Sequence, residues 1–185
     1  QLQLPNIVAI HDSGQAAGCH YFVMNYISGH ALNEHVQNAR LALRDKLRLF
    51  AKVCRAVHAA HLRGVIHRDL KPGNIRVDAA GEPHILDFGL AKTLSDPRDS
   101  SEVTMTGQFI GSLPWASPEQ AEGVPAKIDI RTDVYSLGVI LYQMLTNRFP
   151  YDLHGSVREV LDRIISVEPS RPRSIAREVN DEVER

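Results

Sequence analysis

The strongest constraint on how this 185-residue chain can fold is a polar loop that lies between apolar segments. The loop reads His67-Arg68-Asp69-Leu70-Lys71-Pro72-Gly73-Asn74, and Asp87-Phe88-Gly89 begins thirteen residues after Asn74. Between these motifs, the apolar segments 75–77 and 84–86 flank an Ala80-Gly81 turn, which predicts a β-hairpin. The fold must therefore hold two charged motifs at the two ends of one hairpin.

Charge and composition exclude several classes of partner. Lys and Arg number 21 and Asp and Glu 22, so the formal net charge of −1 predicts no nucleic-acid partner and no membrane contact by this segment. The most apolar run, residues 134–145, is shorter than the ~20 residues that span a bilayer. Only Cys19 and Cys54 are present, which is too few for a disulfide framework and indicates a cytoplasmic location. The parent protein could still carry a membrane anchor outside this segment.

The amino-terminal half predicts two strands followed by two helices. Residues 7–11 and 20–25 read as strands around turn signals at Asp12-Ser13-Gly14 and Ala17-Gly18. A short helical stretch follows at residues 32–36. From residue 43 to 63 the apolar residues recur with a period of 3.6, which predicts a helix. Gly64 then stands where a helix ends in the left-handed conformation.

The carboxyl-terminal half predicts a long loop and two further helices. Residues 93–110 are polar and aperiodic, which is typical of a functional or disordered loop. Residues 133–145 are apolar nearly all round and predict a central buried helix that ends at Asn147. Ser156 and Glu159 form a capping box that opens another helix. Its predicted apolar side consists of Val160, Leu161, Ile164 and Ile165.

The side chains of the two motifs suit the transfer of a phosphoryl group. Such a reaction requires an oriented hydroxyl, an acceptor for its proton and neutralised phosphate charge. Asp69 suits the first two roles, and Lys71 can reach a γ-phosphate as a compact positive charge. Asn74 and Asp87 offer the oxygen ligands that magnesium prefers. Each residue type alone is common on protein surfaces, and only the joint pattern carries the interpretation.

With these motifs, the chain resembles the eukaryotic-like protein kinases, most closely the bacterial serine/threonine kinases. The resemblance extends over residues 5–168 and implies an α+β, protein-kinase-like fold. Residues 1–27 would be the end of the amino-terminal lobe and the hinge, and residues 28–185 a mainly helical carboxyl-terminal lobe without its last helices. Both ends are therefore expected to be truncated. The glycine-rich loop, its strand lysine and the helix glutamate would precede Gln1, so these residues alone are expected to bind ATP poorly and to be inactive.

The resemblance also assigns cofactors and site residues. ATP and Mg²⁺ are implied, with Mn²⁺ as a possible substitute, and Lys71, Asn74 and Asp87 would contact them. Hinge contacts to the nucleotide are implied for Met24, the gatekeeper, Asn25 and Ile27. Asn25 replaces a usual glutamate, and Arg76 replaces the leucine that commonly packs beneath adenine. The residues implied to support the site are His67, Arg68, Phe88, Gly89, Ser112, Glu119 and Asp133.

Three features of the resemblance favour a protein serine or threonine as substrate. The family has lysine at Lys71, and it has serine or threonine at Ser112, where the hydroxyl can bridge the catalytic aspartate and lysine. The Ser-Pro-Glu-Gln run that ends at Gln120 is of bacterial style. Thr104 and Thr106 are similar to threonines that bacterial members autophosphorylate, and Arg68 would pair with such a phosphate.

Two alternatives to a serine/threonine kinase remain open. A non-catalytic, kinase-like docking module is favoured by the absent glycine-rich loop and by Arg76, but it has no need for Asp69, Asn74 and Asp87. A small-molecule kinase of related fold is weakened by residues 111–119, which resemble a segment shaped for a peptide. His58 and His61 lie three residues apart on a helix and are interpreted as structural residues, not as metal ligands.

Overall fold

The computed structural model describes Leu4 and residues 6–17, 19–88 and 111–179. It begins with the antiparallel strands β1 (Ile10–Ala16) and β2 (Cys19–Met24). The predicted turn at Asp12-Ser13-Gly14 is wrong, because these residues lie in β1 and pair with β2. Gly14 faces Tyr21, and a Cβ atom on it would lie 2.6 Å from the Tyr21 hydroxyl. The glycine is thus explained by a close cross-strand ring, not by a turn.

A second sheet of order β3-β4-β5 contains the hairpin that links the two motifs. Its strands are Gly29–Ala31, Ile75–Asp78 and Pro83–Ile85, and both pairings are antiparallel. The predicted hairpin is confirmed, with Gly81 at a φ of 77° in the connecting turn. The site motifs therefore start from a rigid three-stranded platform.

The segment before β1 is attached to this second sheet. Ile7 forms a parallel bridge with Ile85. The Val8 N–H donates to the Ile85 carbonyl at 2.9 Å, and the Ile85 N–H donates to the Asn6 carbonyl at 2.8 Å. The predicted strand at residues 7–11 is accordingly displaced: Ile7 and Val8 pair with β5, and β1 begins only at Ile10.

Helices form most of the remaining described chain. They are α1 (Leu32–Asn38), α2 (Leu43–His61), α3 (Pro118–Ala121), α4 (Ile130–Thr146), α5 (Val157–Ser166) and α6 (Pro172–Ile175). Short 3₁₀ turns occupy Pro72–Asn74, Leu113–Trp115 and Pro125–Lys127. Together with the two sheets they give the predicted α+β class of fold.

Local capping sets the ends of these helices. The predicted long helix is confirmed as α2, and Gly64 follows it at a φ of 69°. Helix α4 starts three residues earlier than predicted, since the Asp129 carboxylate accepts the Arg131 N–H. It ends, as predicted, at Asn147, which has a φ of 55°.

The capping box of α5 is confirmed, but one residue assigned to its apolar side is not buried. The Ser156 hydroxyl accepts the Glu159 N–H, and the Glu159 carboxylate accepts the Ser156 N–H. Val160 and Ile164 are buried, whereas Ile165 is 41% exposed. The assignment of Ile165 to the apolar side was wrong, because only the face of α5 that carries Val160 and Ile164, four residues apart, packs against the rest of the protein.

The main core lies between α2, α4 and the second sheet. The largest side chains at 0–1% exposure in this cluster are Leu32, Val53, Val57, Leu70, Ile75, Val77, Ile85 and Ile140. Leu70 belongs to the polar loop itself, so the loop is anchored in the core from within. A smaller cluster joins α5 to the segment at Leu113 and Tyr151. In the described part of the chain, the helices are too short or too polar to cross a bilayer.

Gly29 is a position where folding requires glycine, and its replacement should be costly. A Cβ atom there would lie 2.0 Å from the Val77 carbonyl oxygen, at a φ of 153°. We expect Gly29→Ala to destabilise the protein by at least about 2 kcal/mol in urea denaturation. The matched control is Gly138→Ala in α4, where nothing beyond the adjacent residues and the backbone of the helix itself lies within 4 Å of the added Cβ. This second substitution should stabilise the protein by ~0.5–1 kcal/mol, and equal effects at both sites would contradict the explanation.

Candidate active site

A buried carboxylate fixes the backbone of the polar loop. Asp133 in α4 is 0% exposed. One of its oxygens accepts the His67 N–H at 2.9 Å, and the other accepts the Arg68 N–H at 2.8 Å. These bonds hold Arg68 at a φ of 68°, a conformation that non-glycine residues seldom adopt. Asp133 thus determines the direction in which the loop leaves the core.

His61 completes the surroundings of Asp133 and was missed as a site residue. Its Nε2 lies 2.7 Å from an Asp133 oxygen, and its side chain is only 10% exposed. This contact agrees with the interpretation of His61 as a structural residue, although its partner was not predicted. The available signal was a polar side chain at the end of the apolar face of α2, because such a residue needs a buried partner.

The ring of His67 is locked between the two motifs. It is 2% exposed, and its Nε2 donates to the Leu86 carbonyl at 2.8 Å while Nδ1 accepts the Asp69 N–H at 3.3 Å. It meets the Phe88 ring edge to face, with centroids 4.7 Å apart. Burial lowers the pKa of His67 despite the opposing contact with the Leu86 carbonyl and the nearby carboxylates. The ring is therefore neutral at pH 7 and acts as a spacer.

The Asp69 carboxylate contacts Lys71 and Asn74, and Lys71 in turn contacts Ser112. The Lys71 ammonium lies 3.2 Å from Asp69 Oδ2 and donates to the Ser112 hydroxyl at 2.5 Å. The Asn74 amide donates to Asp69 Oδ2 at 3.1 Å and to the Asp69 carbonyl at 2.8 Å. Asp69 keeps 48% of its side chain exposed. The result is an oriented carboxylate that a solvent-borne hydroxyl can reach.

Asp87 enters the same region from the end of the hairpin. The Leu86 N–H donates to the Asn74 carbonyl at 2.9 Å, which joins the two motifs through their backbones. Asp87 itself has a φ of 61°. Burial raises the pKa of Asp87, the repulsion from Asp69 adds to this, and the Lys71 ammonium opposes it. Asp87 is thus electrostatically connected to both functional side chains of the loop.

Asn74 and Asp87 fit a hard cation by the chemistry of their free oxygens. The Asn74 Nδ2 is engaged with Asp69, so its Oδ1 remains as the acceptor of that amide. The Asp87 carboxylate forms no hydrogen bond within the described residues and is half-buried. One neutral and one anionic oxygen are a donor set that Mg²⁺ accepts in combination with phosphate and water.

The segment after residue 110 supports the loop from the other side. The Gln120 amide donates to the Arg68 carbonyl at 2.7 Å, a contact that the sequence interpretation did not include. The Thr132 hydroxyl donates to Glu119 at 2.5 Å. Together with Asp133, these contacts connect the start of α4 and the whole of α3 to the backbone of the polar loop.

Some predicted site residues lie apart from this cluster or outside the described chain. Met24 ends β2, and the Asn25 side-chain oxygen contacts His11 Nε2 at 2.8 Å. Ile27 follows in the connection to β3. The Arg76 guanidinium donates to the Gly29 carbonyl. Gly89, Thr104 and Thr106 lie outside the described residues.

Comparison with known proteins gives a family and several relatives. The family model described as "Protein kinase domain" matches residues 1–184. A probable serine/threonine-protein kinase PknB of Lactococcus lactis is 36% identical over 183 residues, which are 95% of this chain and 28% of that protein. Serine/threonine-protein kinase PrkC of Bacillus subtilis is 36% identical over 173 residues, 93% of this chain and 26% of that protein. PknB of Mycobacterium tuberculosis is 39% identical over 155 residues, with shares of 81% and 24%.

The buried, neutral His67 predicts a loss of stability in mild acid. Above the ordinary histidine pKa of ~6.5, folded and unfolded chains are both neutral here. Below this pH, the unfolded chain binds a proton that the folded chain excludes. The free energy of unfolding therefore decreases as the pH is lowered, by at most ~1.4 kcal/mol per pH unit for this group. His67→Phe keeps the ring and removes the proton. Urea denaturation between pH 7.5 and 5 should show a shallower decline for this variant, and parallel declines would contradict a neutral His67.

Proposed function

Since this chain belongs to the protein kinase family, we propose that it is part of a serine/threonine protein kinase that transfers the γ-phosphoryl group of ATP to a protein hydroxyl. The chain spans about a quarter of the length of the curated relatives it matches. The observation that carries the proposal is the contact network of Asp69 with Lys71, Asn74 and Ser112. It brings together a carboxylate that can accept the proton of a hydroxyl (Asp69), a cation that can bind phosphate (Lys71) and an amide oxygen that can bind a metal (Asn74).

Asp69 would orient the substrate hydroxyl and accept its proton. Its Oδ2 forms an ion pair with Lys71 and accepts a hydrogen bond from the Asn74 amide, and these two contacts orient the carboxylate before substrate arrives. Preorganised groups of this kind lower the barrier because they need no rearrangement in the transition state. The half-exposed carboxylate leaves the approach of a hydroxyl open.

Lys71 would hold the transferred phosphoryl group beside Asp69. Its ammonium has three donors, and the structure engages it with Asp69 and Ser112. A third donor is therefore available to a phosphate oxygen. The hydroxyl of Ser112 ties this lysine to the segment that, by resemblance, contacts a peptide substrate, which supports a protein serine or threonine as acceptor.

Asn74 and Asp87 would hold Mg²⁺, and Mn²⁺ accepts the same oxygen ligands. When bound, the ion neutralises charge on the phosphates of ATP. Asp87 must be ionised to act as a ligand, and its pKa is raised mainly by burial. The affinity for the metal should consequently decrease in mild acid, before that of an ordinary aspartate site would.

The two sheets support the proposed division of the chain. Residues 1–27 contain the β1–β2 pair, and residues 28–185 contain the three-stranded sheet and the described helices. Met24, Asn25 and Ile27 lie at the connection and would contact adenine as a hinge. The β3–β4 pairing brings Arg76 beside Ala31 just beyond this connection, where the aliphatic part of its side chain can form the floor of the nucleotide site.

Phosphorylation of Thr104 and Thr106 is proposed as the means of activation, with Arg68 as the partner of the phosphate. The Arg68 backbone is fixed at both its N–H and its carbonyl, by Asp133 and Gln120. Its guanidinium is accordingly presented from a rigid base. Both cysteines are free, which supports a reducing, cytoplasmic setting.

The alternative of a non-catalytic docking module is not favoured. A docking surface requires no ordered carboxylate such as Asp69. Here the loop that carries Asp69 is held by Asp133, whose side chain is completely buried. Burying an ionised group is expensive unless it is fully paired. The relatives bear the names of serine/threonine kinases, which also supports a catalytic role.

Asp69→Asn in the full-length protein should abolish most phosphoryl transfer and leave nucleotide binding intact. The amide keeps the shape of the side chain and cannot accept the hydroxyl proton, so kcat should fall by about 10²–10⁴-fold. Transfer is measured with radiolabelled ATP and a serine-containing protein substrate, and binding by calorimetry. Asp45→Asn on the exposed side of α2 is the matched control and should retain full activity. Transfer by Asp69→Asn at the wild-type rate would refute the role.

We expect kcat to depend on the hydroxyl of Ser112 and much less on the size of its side chain. Ser112→Ala deprives the Lys71 ammonium of a partner, worth ~1.5–3 kcal/mol for a bond to a charged group. We therefore expect kcat to fall roughly ten- to hundredfold. Ser112→Thr retains the hydroxyl and should keep most of the activity. Equal activity of the two variants would separate Ser112 from the function of Lys71.

A further inference from the structure

The peptide group that leads into Asp69 is held at both of its polar atoms. Its carbonyl, which belongs to Arg68, accepts an N–H of the Gln120 side-chain amide at 2.7 Å. Its N–H, which belongs to Asp69, donates to His67 Nδ1 at 3.3 Å. Because a peptide group is planar, two such bonds determine the plane in which the chain enters Asp69. The bond from Gln120 is the shorter of the two and lies in the range of a strong N–H···O bond.

The conformation of Arg68 makes this carbonyl contact necessary. Arg68 has a φ of 68°, which residues other than glycine seldom adopt. Asp133 holds its N–H at 2.8 Å and so fixes the chain on the amino-terminal side of its Cα atom. The torsion on the carboxyl-terminal side, ψ of Arg68, sets the direction of the chain at Asp69. Gln120 restrains this torsion from outside the loop.

The side-chain amide of Gln120 has two partners that need opposite chemistry. Its Oε1 accepts the Ser117 N–H at 3.0 Å and thereby forms the capping box of α3. A capping box accepts glutamate as well as glutamine, since it needs only an acceptor. The contact with the Arg68 carbonyl needs a donor, which an ionised glutamate does not have. The amide at position 120 is therefore explained by the polar loop and not by the helix.

The segment that carries Gln120 is fixed to α4. The Thr132 hydroxyl donates to Glu119 at 2.5 Å, and the Ser136 hydroxyl donates to the Trp115 carbonyl at 2.8 Å. Thr132 is 0% exposed and Ser136 is 3% exposed, so both bonds are made from the core. The Gln120 side chain consequently reaches the polar loop from a rigid base.

We propose that Gln120 is a positioning residue for Asp69, which sets the rate of phosphoryl transfer by holding the Arg68 carbonyl. This role rests on the proposed function and deepens it, because it places control of the Asp69 carboxylate in the segment that, by resemblance, contacts a peptide substrate. In the described residues, the side-chain hydrogen bonds of Gln120 go to Arg68 and Ser117 and not to the residues proposed to hold ATP or Mg²⁺. Its loss should therefore change kcat and leave the KM for ATP unchanged.

Gln120→Glu in the full-length protein tests this role by steady-state kinetics with ATP and a serine-containing protein substrate. The variant keeps the capping box and loses the donor to Arg68. We expect kcat to fall roughly five- to hundredfold, the effect of leaving a partly buried carbonyl without its donor. The KM for ATP should change by less than about twofold. The matched control is Gln37→Glu, which removes an amide donor to Asn147 on the exposed side of α1 and should keep the wild-type kcat.

Gln120→Met separates the missing donor from the added charge. Methionine has a similar length, is neutral and has no donor, so kcat should fall by a factor similar to that of Gln120→Glu. Circular dichroism verifies that each variant is folded. A wild-type kcat in Gln120→Met would assign the defect of Gln120→Glu to its charge and would overturn the positioning role.

Amide hydrogen exchange gives a measurement that does not depend on phosphoryl transfer. Mass spectrometry of a peptide that contains residues 66–70 should show exchange at least about fivefold faster in both Gln120 variants, because the loop opens more often without this bond. Gln37→Glu should exchange like the wild type. If the wild type transfers no phosphate, the proposed function fails, and the exchange rates still decide the role of Gln120. Wild-type exchange in both Gln120 variants would overturn it.

Discussion

The architecture of the site depends on the buried carboxylate of Asp133. This group accepts two successive backbone N–H groups of the polar loop, at 2.9 and 2.8 Å, and contacts His61 at 2.7 Å. A carboxylate without solvent exposure is tolerable only where such donors surround it. The central helix α4 therefore serves two purposes at once, as the middle of the core and as the support of the loop. The position of Asp69 depends on Asp133, because Asp133 fixes the backbone of the two residues that precede it.

The network around Asp69 shows why one loop can combine opposite charges without closing on itself. Lys71 approaches the carboxylate at 3.2 Å, but Ser112 draws the same ammonium towards a different segment at 2.5 Å. Asn74 holds the carboxylate with a neutral donor. The ion pair is thus shared among several partners, and 48% of the Asp69 side chain stays exposed.

Sequence spacing grouped the candidate residues that are close in the chain, and resemblance to a family named Ser112 and Asp133, whose contacts with Lys71 and Arg68 span 41 and 65 residues. The order and spacing of the motifs identified Asp69, Lys71, Asn74 and Asp87 as one group, since a single hairpin must bring its two ends together. His61 and Gln120 were not identified, because their partners are 72 and 52 residues away and no spacing encodes such contacts. The turn at Gly14 was misread for a related reason. A glycine that accommodates a ring on the opposite strand looks, in sequence, like a glycine that bends the chain.

The bridge between Ile7 and Ile85 has a mechanical consequence. The two sheets are joined by the covalent connection from β2 to β3 and also by the hydrogen bonds of Asn6 and Val8 to Ile85. Two attachment points restrict how the β1–β2 sheet can move relative to the second sheet. Ile85 lies two residues before Asp87, so a displacement of residues 6–8 would act on the strand that leads into that aspartate.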